Sequence, residues 1–124
     1  MSLKTLALAI IGIIALAWAF PANAHSWYTQ KKDPVTQLGC CGIADCATLL
    51  IEPGVLTPEV DGFRIRLTVE QAQRINRNRL EPLDVLVPWS RVQPSEDGNW
   101  HICIPRFQDV TVGNFYCFFQ PPSF

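Results

Sequence analysis

The sequence predicts a mainly β fold: a small antiparallel sheet or partly open barrel with one short helix, stabilised by disulfides. Three observations carry this expectation. Two Asp-Gly pairs, Asp61-Gly62 and Asp97-Gly98, are hairpin signals set between short runs of apolar residues. Ten prolines interrupt a chain of 124 residues and leave little room for long helices. Five cysteines in so small a chain point to covalent bracing rather than a large core.

The elements follow in order. Lys4 precedes an unbroken apolar run, Leu6 to Phe20 (LALAIIGIIALAWAF), which Pro21 ends. Ala22-Asn23-Ala24 then places small residues where a signal peptidase reads them. As a helix the run would span only about 22 Å, short of a hydrocarbon core of roughly 30 Å, so a cleaved leader is expected rather than an anchor. Residues 1–24 are therefore read as a signal peptide. Residues 25–124 are read as one mature domain, exported to the periplasm or beyond, with no membrane span of its own.

Within that domain, residues 25–39 (HSWYTQKKDPVTQLG) show no period and read as an extended arm or loop, a flexible N-terminal arm of the domain. Ala47 to Ile51 is a short apolar run, expected as a buried strand. After Asp61-Gly62, Phe63, Ile65 and Leu67 alternate with Arg64 and Arg66, as on a half-buried strand. Pro58 keeps the partner strand short or at an edge. Thr68 and Gln71 fit a capping box, and Val69, Ala72 and Ile75 recur at helical spacing, which predicts a short helix from Val69 to about Arg77. Leu83–Val87 is a further strand, ended by Pro88. Asp97-Gly98 is expected to join Arg91–Gln93 to Asn99–Ile104, and Asn114–Phe119, apolar on both faces, to form a central or covered strand.

The charge balance, 10 Lys and Arg against 11 Asp and Glu, lacks the basic excess that phosphate-backbone binding requires, so no nucleic-acid partner is expected. The cysteines are Cys40, Cys41, Cys46, Cys103 and Cys117. Two bridges and one unpaired sulfur are possible, and spacing alone does not choose among the pairings. If the two late strands pair, Cys103 and Cys117 face each other, and their bridge would close a loop of about fifteen residues, worth about 3 kcal/mol. Cys46 would then bond Cys40 or Cys41. The remaining cysteine would be free, metal-bound or used in an intermolecular disulfide. There is no Cys-x-x-Cys, and no predicted helix begins at Cys40 to lower a thiol pKa, so redox catalysis is not favoured.

His25 and His101 are the only histidines. Cleavage after Ala24 would give His25 a free α-amine beside its ring, and a second histidine would complete a three-nitrogen set suited to copper. This arrangement resembles the histidine brace of copper oxygenases and periplasmic copper carriers. The plainer expectation is that His101 makes a hydrogen bond within the sheet. Asp33, Asp45, Asp84 and Asp109 are scattered, Ser90 has no nucleophile-elbow context, and no Gly-rich phosphate loop occurs. Arg74, Arg77 and Arg79 read as a solvated helix face. Trp27 and Tyr28 are candidates for a binding surface.

Four stretches together resemble a recurring group of small exported proteobacterial proteins with no assigned activity. They are His25-Ser26-Trp27-Tyr28, the Cys40-Cys41-x-x-x-Asp45-Cys46 cluster, Asp97-Gly98-Asn99-Trp100-His101-Ile102-Cys103, and Cys117-Phe118-Phe119-x-Pro121-Pro122. The resemblance implies export and a shared disulfide fold, and it transfers no catalytic residue. The function expected is a non-enzymatic binding or structural module for a protein or small ligand. A periplasmic copper-binding protein using His25 and His101 is the alternative. An enzyme is least favoured, because no constellation supports one.

Overall fold

The computed structural model describes residues 27–40 and 44–122. The expected leader, His25 and Cys41 lie outside the described residues. Among the described residues, seven strands form two small sheets, accompanied by one α-helix. The three-stranded sheet has the order β2-β3-β4, with β2 Leu56–Pro58, β3 Gly62–Leu67 and β4 Leu83–Pro88. The four-stranded sheet has the order β1-β6-β7-β5, with β1 Cys46–Thr48, β5 Val92–Pro94, β6 His101–Cys103 and β7 Cys117–Gln120. The fold is mainly β, and its sheets do not close into a barrel.

The alternation in β3 places Phe63, Ile65 and Leu67 in the core and Arg64 and Arg66 toward solvent. The Asp61-Gly62 turn joins β2 to β3, where Pro58 stands opposite Phe63. Gly62 is required there because a Cβ would overlap the Val87 carbonyl on β4. The helix α1, Val69–Ile75, begins with the expected capping box: Thr68 Oγ1 accepts from the Gln71 amide, and Gln71 Oε1 accepts from the Thr68 amide. It stops two residues before Arg77 because Asn76 turns extended. One core serves both sheets. Phe63, Ile65, Val85 and Val87 from the first meet Ile102, Ile104, Phe115 and Phe118 from the second half of the chain, with Ala72 and Ile75 of α1 alongside.

Several expectations are corrected. The run 47–51 remains a strand only to Thr48, and Leu50 and Ile51 are exposed. The Asp97-Gly98 turn does not join paired strands. β7 lies between β5 and β6, pairing antiparallel with β6 and parallel with β5. The reason lies in β7 itself, whose Cys117, Phe118 and Phe119 are apolar on both faces and fully buried. Such a strand is stable only in the interior of a sheet.

Of the two readings for residues 25–39, the described part, 27–39, takes the loop and not the extended arm. Trp27–Gln30 is a 3-10 turn, and Lys31 to Cys40 form a small loop closed by Cys40 N to Lys31 O, 2.9 Å, and Asp33 N to Leu38 O, 2.9 Å. Asp33 caps the loop's own turn, accepting from Val35 N at 2.9 Å and Thr36 N at 2.8 Å. Its other oxygen accepts from Arg91 Nε at 2.6 Å, and both side chains are buried. The segment therefore covers the face of the four-stranded sheet that points away from the main core. Tyr28, Cys40, Cys46, Cys103, Cys117 and Phe119 form a second buried cluster there.

The disulfides are Cys40–Cys117 and Cys46–Cys103. The expected Cys103–Cys117 bond does not form, although those residues stand directly opposite on β6 and β7. Nor does Cys46 bond Cys40 or Cys41. Each late cysteine has instead a partner from the first half of the chain: Cys46 opposes Cys103 on the other side of β6, and the N-terminal loop brings Cys40 over Cys117.

Candidate functional site

Among the described residues, two places are candidates for a site. The first surrounds His101. β6 directs its ring to the covered face, where Trp27 packs edge-on at 5.0 Å and Tyr28 at 5.5 Å between ring centroids. The side chain is only 3% exposed. Nε2 lies 2.6 Å from Asp97 Oδ1. A carboxylate accepts, so Nε2 donates, and in the neutral ring Nδ1 holds the lone pair. Nδ1 is buried and has no hydrogen-bond partner among the described residues. Ser95 Oγ and the Asn99 amide also donate to Asp97 Oδ1, each at 3.0 Å. Burial pushes the Asp97 carboxyl up, but the hydrogen bonds from His101, Asn99 and Ser95 outweigh it and hold the group down at about 2.

These groups do not form a nucleophile triad. Ser95 and His101 both bond the same carboxylate oxygen, and no contact joins the hydroxyl to the imidazole. His101 therefore makes the hydrogen bond expected within the sheet region, and one ring nitrogen is left over. Among the described residues, no group of three or more His, Cys, Asp or Glu is placed to hold a metal ion.

The second place is a groove of about 540 Å³ between α1 and β1. Its lining includes an apolar set, Ala44, Cys46, Ala47 and Ile75. Arg74, Arg77 and Asn78 stand along one side. Local structure explains this distribution. α1 ends at Ile75, and Asn76 is held in place by its Nδ2, which donates to Asp45 Oδ1 at 3.0 Å and to Ile104 O at 3.1 Å. Burial raises the Asp45 carboxyl above its ordinary range. With Asn76 turned inward, Arg77 and Asn78 are directed outward. Arg74 pairs with Glu52, and Arg77 has no ion-pair partner among the described residues.

The basic run divides. Arg74 and Arg77 are on the surface as expected, but Arg79 is fully buried. Its Nε donates to Glu81 O at 3.0 Å, Nη1 to Pro105 O at 2.9 Å and Nη2 to Pro82 O at 3.0 Å. Burial lowers its pKa. Arg79 thus ties the loop after α1 to the end of β6 and is unavailable to a ligand. Trp27 and Tyr28, read as a candidate surface, instead contact His101 and Phe119.

Sequence reasoning did not find the groove. Asp45 and Asn76 lie 31 positions apart, and Asn76 belongs to no motif. The available signal was the break in helical period after Ile75, which marks where Arg77 leaves the helix face. What the fold and these sites define is a small, mainly β, two-disulfide domain with a covered sheet face and one basic-rimmed groove. Compared with family models, curated proteins and solved structures, the chain has no significant match.

Proposed function

We propose that this chain is an exported binding module whose groove between α1 and β1 takes an anionic ligand with an apolar body. The observation that carries the reading is the pairing of an apolar lining, Ala44, Ala47 and Ile75, with the guanidinium groups of Arg74 and Arg77 in a groove of about 540 Å³. That volume falls within the roughly 300–1,000 Å³ of small-molecule sites. An arginine offers a planar fork to a carboxylate, and the apolar lining removes an alkyl chain from water. Export supplies the setting, since two disulfides suit an oxidising compartment. The test is a titration with decanoate and, separately, decylammonium, followed by amide chemical shifts. Decanoate should move Ala44, Ala47 and residues 74–78 selectively, and Arg77→Gln should weaken it several-fold. Equal response to both amphiphiles would remove the reading.

A second reading, copper binding by His25 and His101, is favoured by a separate observation. Metal-bound histidines donate their other ring N–H to a carboxylate, as His101 does to Asp97, and the His101 Nδ1 lone pair has no partner among the described residues. Trp27, packed on His101, is two residues from His25, a reach of at most about 7 Å along the chain. Cu(II) should bind the processed protein stoichiometrically. A single residue added before His25 should abolish binding by blocking the α-amine, and undiminished binding there would dispose of the idea.

A further inference from the structure

Three of the four bonded cysteines stand in one row across the four-stranded sheet. Cys46 on β1 is opposite Cys103 on β6, and Cys103 is opposite Cys117 on β7. Cys40 joins the row through Cys117, and its carbonyl oxygen lies 3.1 Å from Cys46 Sγ. Residues directly opposite in an antiparallel pair have Cα atoms about 4.5–5.5 Å apart, inside the span of about 4.4–6.8 Å that a disulfide bridges. Cys103 and Cys117 also share one buried cluster on one face. The register therefore places a second set of bonds within reach. One set is present, and the other joins Cys103 to Cys117 and brings Cys40 beside Cys46.

Access to these sulfurs is unequal. Cys40, Cys103 and Cys117 are fully buried, whereas Cys46 is 4% exposed and lines the groove. Exchange begins where a thiolate reaches a disulfide sulfur.

We propose that Cys46 is a thiol-modification site, attacked through the groove by an exported dithiol, and that the two bridges form an exchange pair which unfastens the N-terminal segment. A thiolate of the dithiol bonds Cys46 Sγ, the Cys46–Cys103 bond breaks, and its electron pair leaves on Cys103 Sγ. The Cys103 thiolate bonds Cys117 Sγ, the Cys40–Cys117 bond breaks, and Cys40 leaves as a thiolate that takes a proton from solvent. The second thiol of the reagent then bonds the first across the mixed disulfide and releases Cys46 as a thiol. The dithiol is oxidised to a disulfide, one protein disulfide is reduced, and the protein carries Cys103–Cys117 with thiols at Cys40 and Cys46. β6 and β7 stay joined. The segment covering His101 loses its covalent tie to β7 and is then held by Asp33–Arg91 and Lys31–Glu96. This inference is independent of the anionic ligand proposed for the groove.

Trypsin reads the outcome directly, because Cys40 and Cys46 share the peptide 33–64, while Cys103 lies in 92–106 and Cys117 in 107–124. The oxidised full chain carrying Cys41→Ser is treated with one equivalent of dithiothreitol, alkylated with N-ethylmaleimide and digested. Peptides 92–106 and 107–124 joined to each other, with 33–64 doubly alkylated, is the expected one-bridge species. Peptide 33–64 still joined to 107–124, with 92–106 alkylated, would overturn the proposal. So would loss of both bridges with no one-bridge species. In a second variant, Cys46→Ser with Cys103→Ser, the remaining Cys40–Cys117 bridge should be reduced about tenfold more slowly, or slower still, for want of an accessible sulfur. Reduction at the parent rate would refute Cys46 as the entry point.

Discussion

Arg91 offers the sharpest test of what holds the N-terminal segment to the sheet. Its Nε donates to Asp33 Oδ2 at 2.6 Å, Nη1 to Val112 O at 3.0 Å, and Nη2 to Phe115 O and Tyr116 O at 3.2 and 3.3 Å. The guanidinium carbon sits 3.7 Å from the centre of the Phe115 ring. Arg91→Met keeps the apolar stem and removes the charge. Asp33 is then left fully buried, with only the amides of its own turn as donors. Removing one partner of a buried pair costs about 3–5 kcal/mol. A small domain has a total stability of only about 5–15 kcal/mol. At about 4–8 °C per kcal/mol for a domain of this size, Tm should fall by about 12–40 °C. Urea unfolding with the disulfides intact measures the loss. Asp33→Asn combined with Arg91→Met removes both charges and should recover part of it, since a neutral amide is easier to bury than an unpaired carboxylate. A loss below about 1 kcal/mol for Arg91→Met, or a double variant less stable than the single one, would refute the reasoning.

Other outcomes follow from the same geometry. Arg79→Lys should cost nearly as much as Arg79→Met, about 2–4 kcal/mol by urea unfolding, because an ammonium cannot reach the Glu81, Pro82 and Pro105 carbonyls together. Asp97 has a folded pKa of about 2 against an unfolded value near 3.9, so its contribution is present above about pH 4 and is lost as pH falls through 2. Asp97→Asn should flatten that part of a Tm-against-pH curve. Gly62→Ala drives a Cβ into the Val87 carbonyl and should lower stability by about 1–3 kcal/mol through displacement of β4 from β3, read by urea unfolding and the amide shifts of both strands. With two bridges among five cysteines, the monomer should show one thiol under denaturing conditions and none in Cys41→Ser. A disulfide-linked dimer lost in the same variant would show Cys41 joining two chains.

The fold was legible where a local signal and its tertiary use coincide. The β2–β3 turn needs Asp61-Gly62, β3 carries its own alternation, and the Thr68–Gln71 box starts α1 with no help from the rest of the chain. Asp97-Gly98 shows the limit. It makes a turn, as a local signal requires, but which strands lie beside each other depends on where β7 can bury two apolar faces. No dipeptide encodes that choice. The cysteines fail for the same reason. Loop length favoured Cys103 with Cys117, and the strands did pair in that register, yet β1 and the N-terminal loop arrive on either side and compete for the same sulfurs. Asp33 holds the loop that carries Cys40, a role no pattern announces: its carboxylate turns the loop with one oxygen and meets Arg91 with the other. If the Asp33–Arg91 pair positions Cys40, then oxidative refolding of Arg91→Met should accumulate Cys103–Cys117, the bond the local sequence favours, before Cys40–Cys117. A variant that refolds with native pairing at the parent rate would mean that the sheet alone selects the bridges.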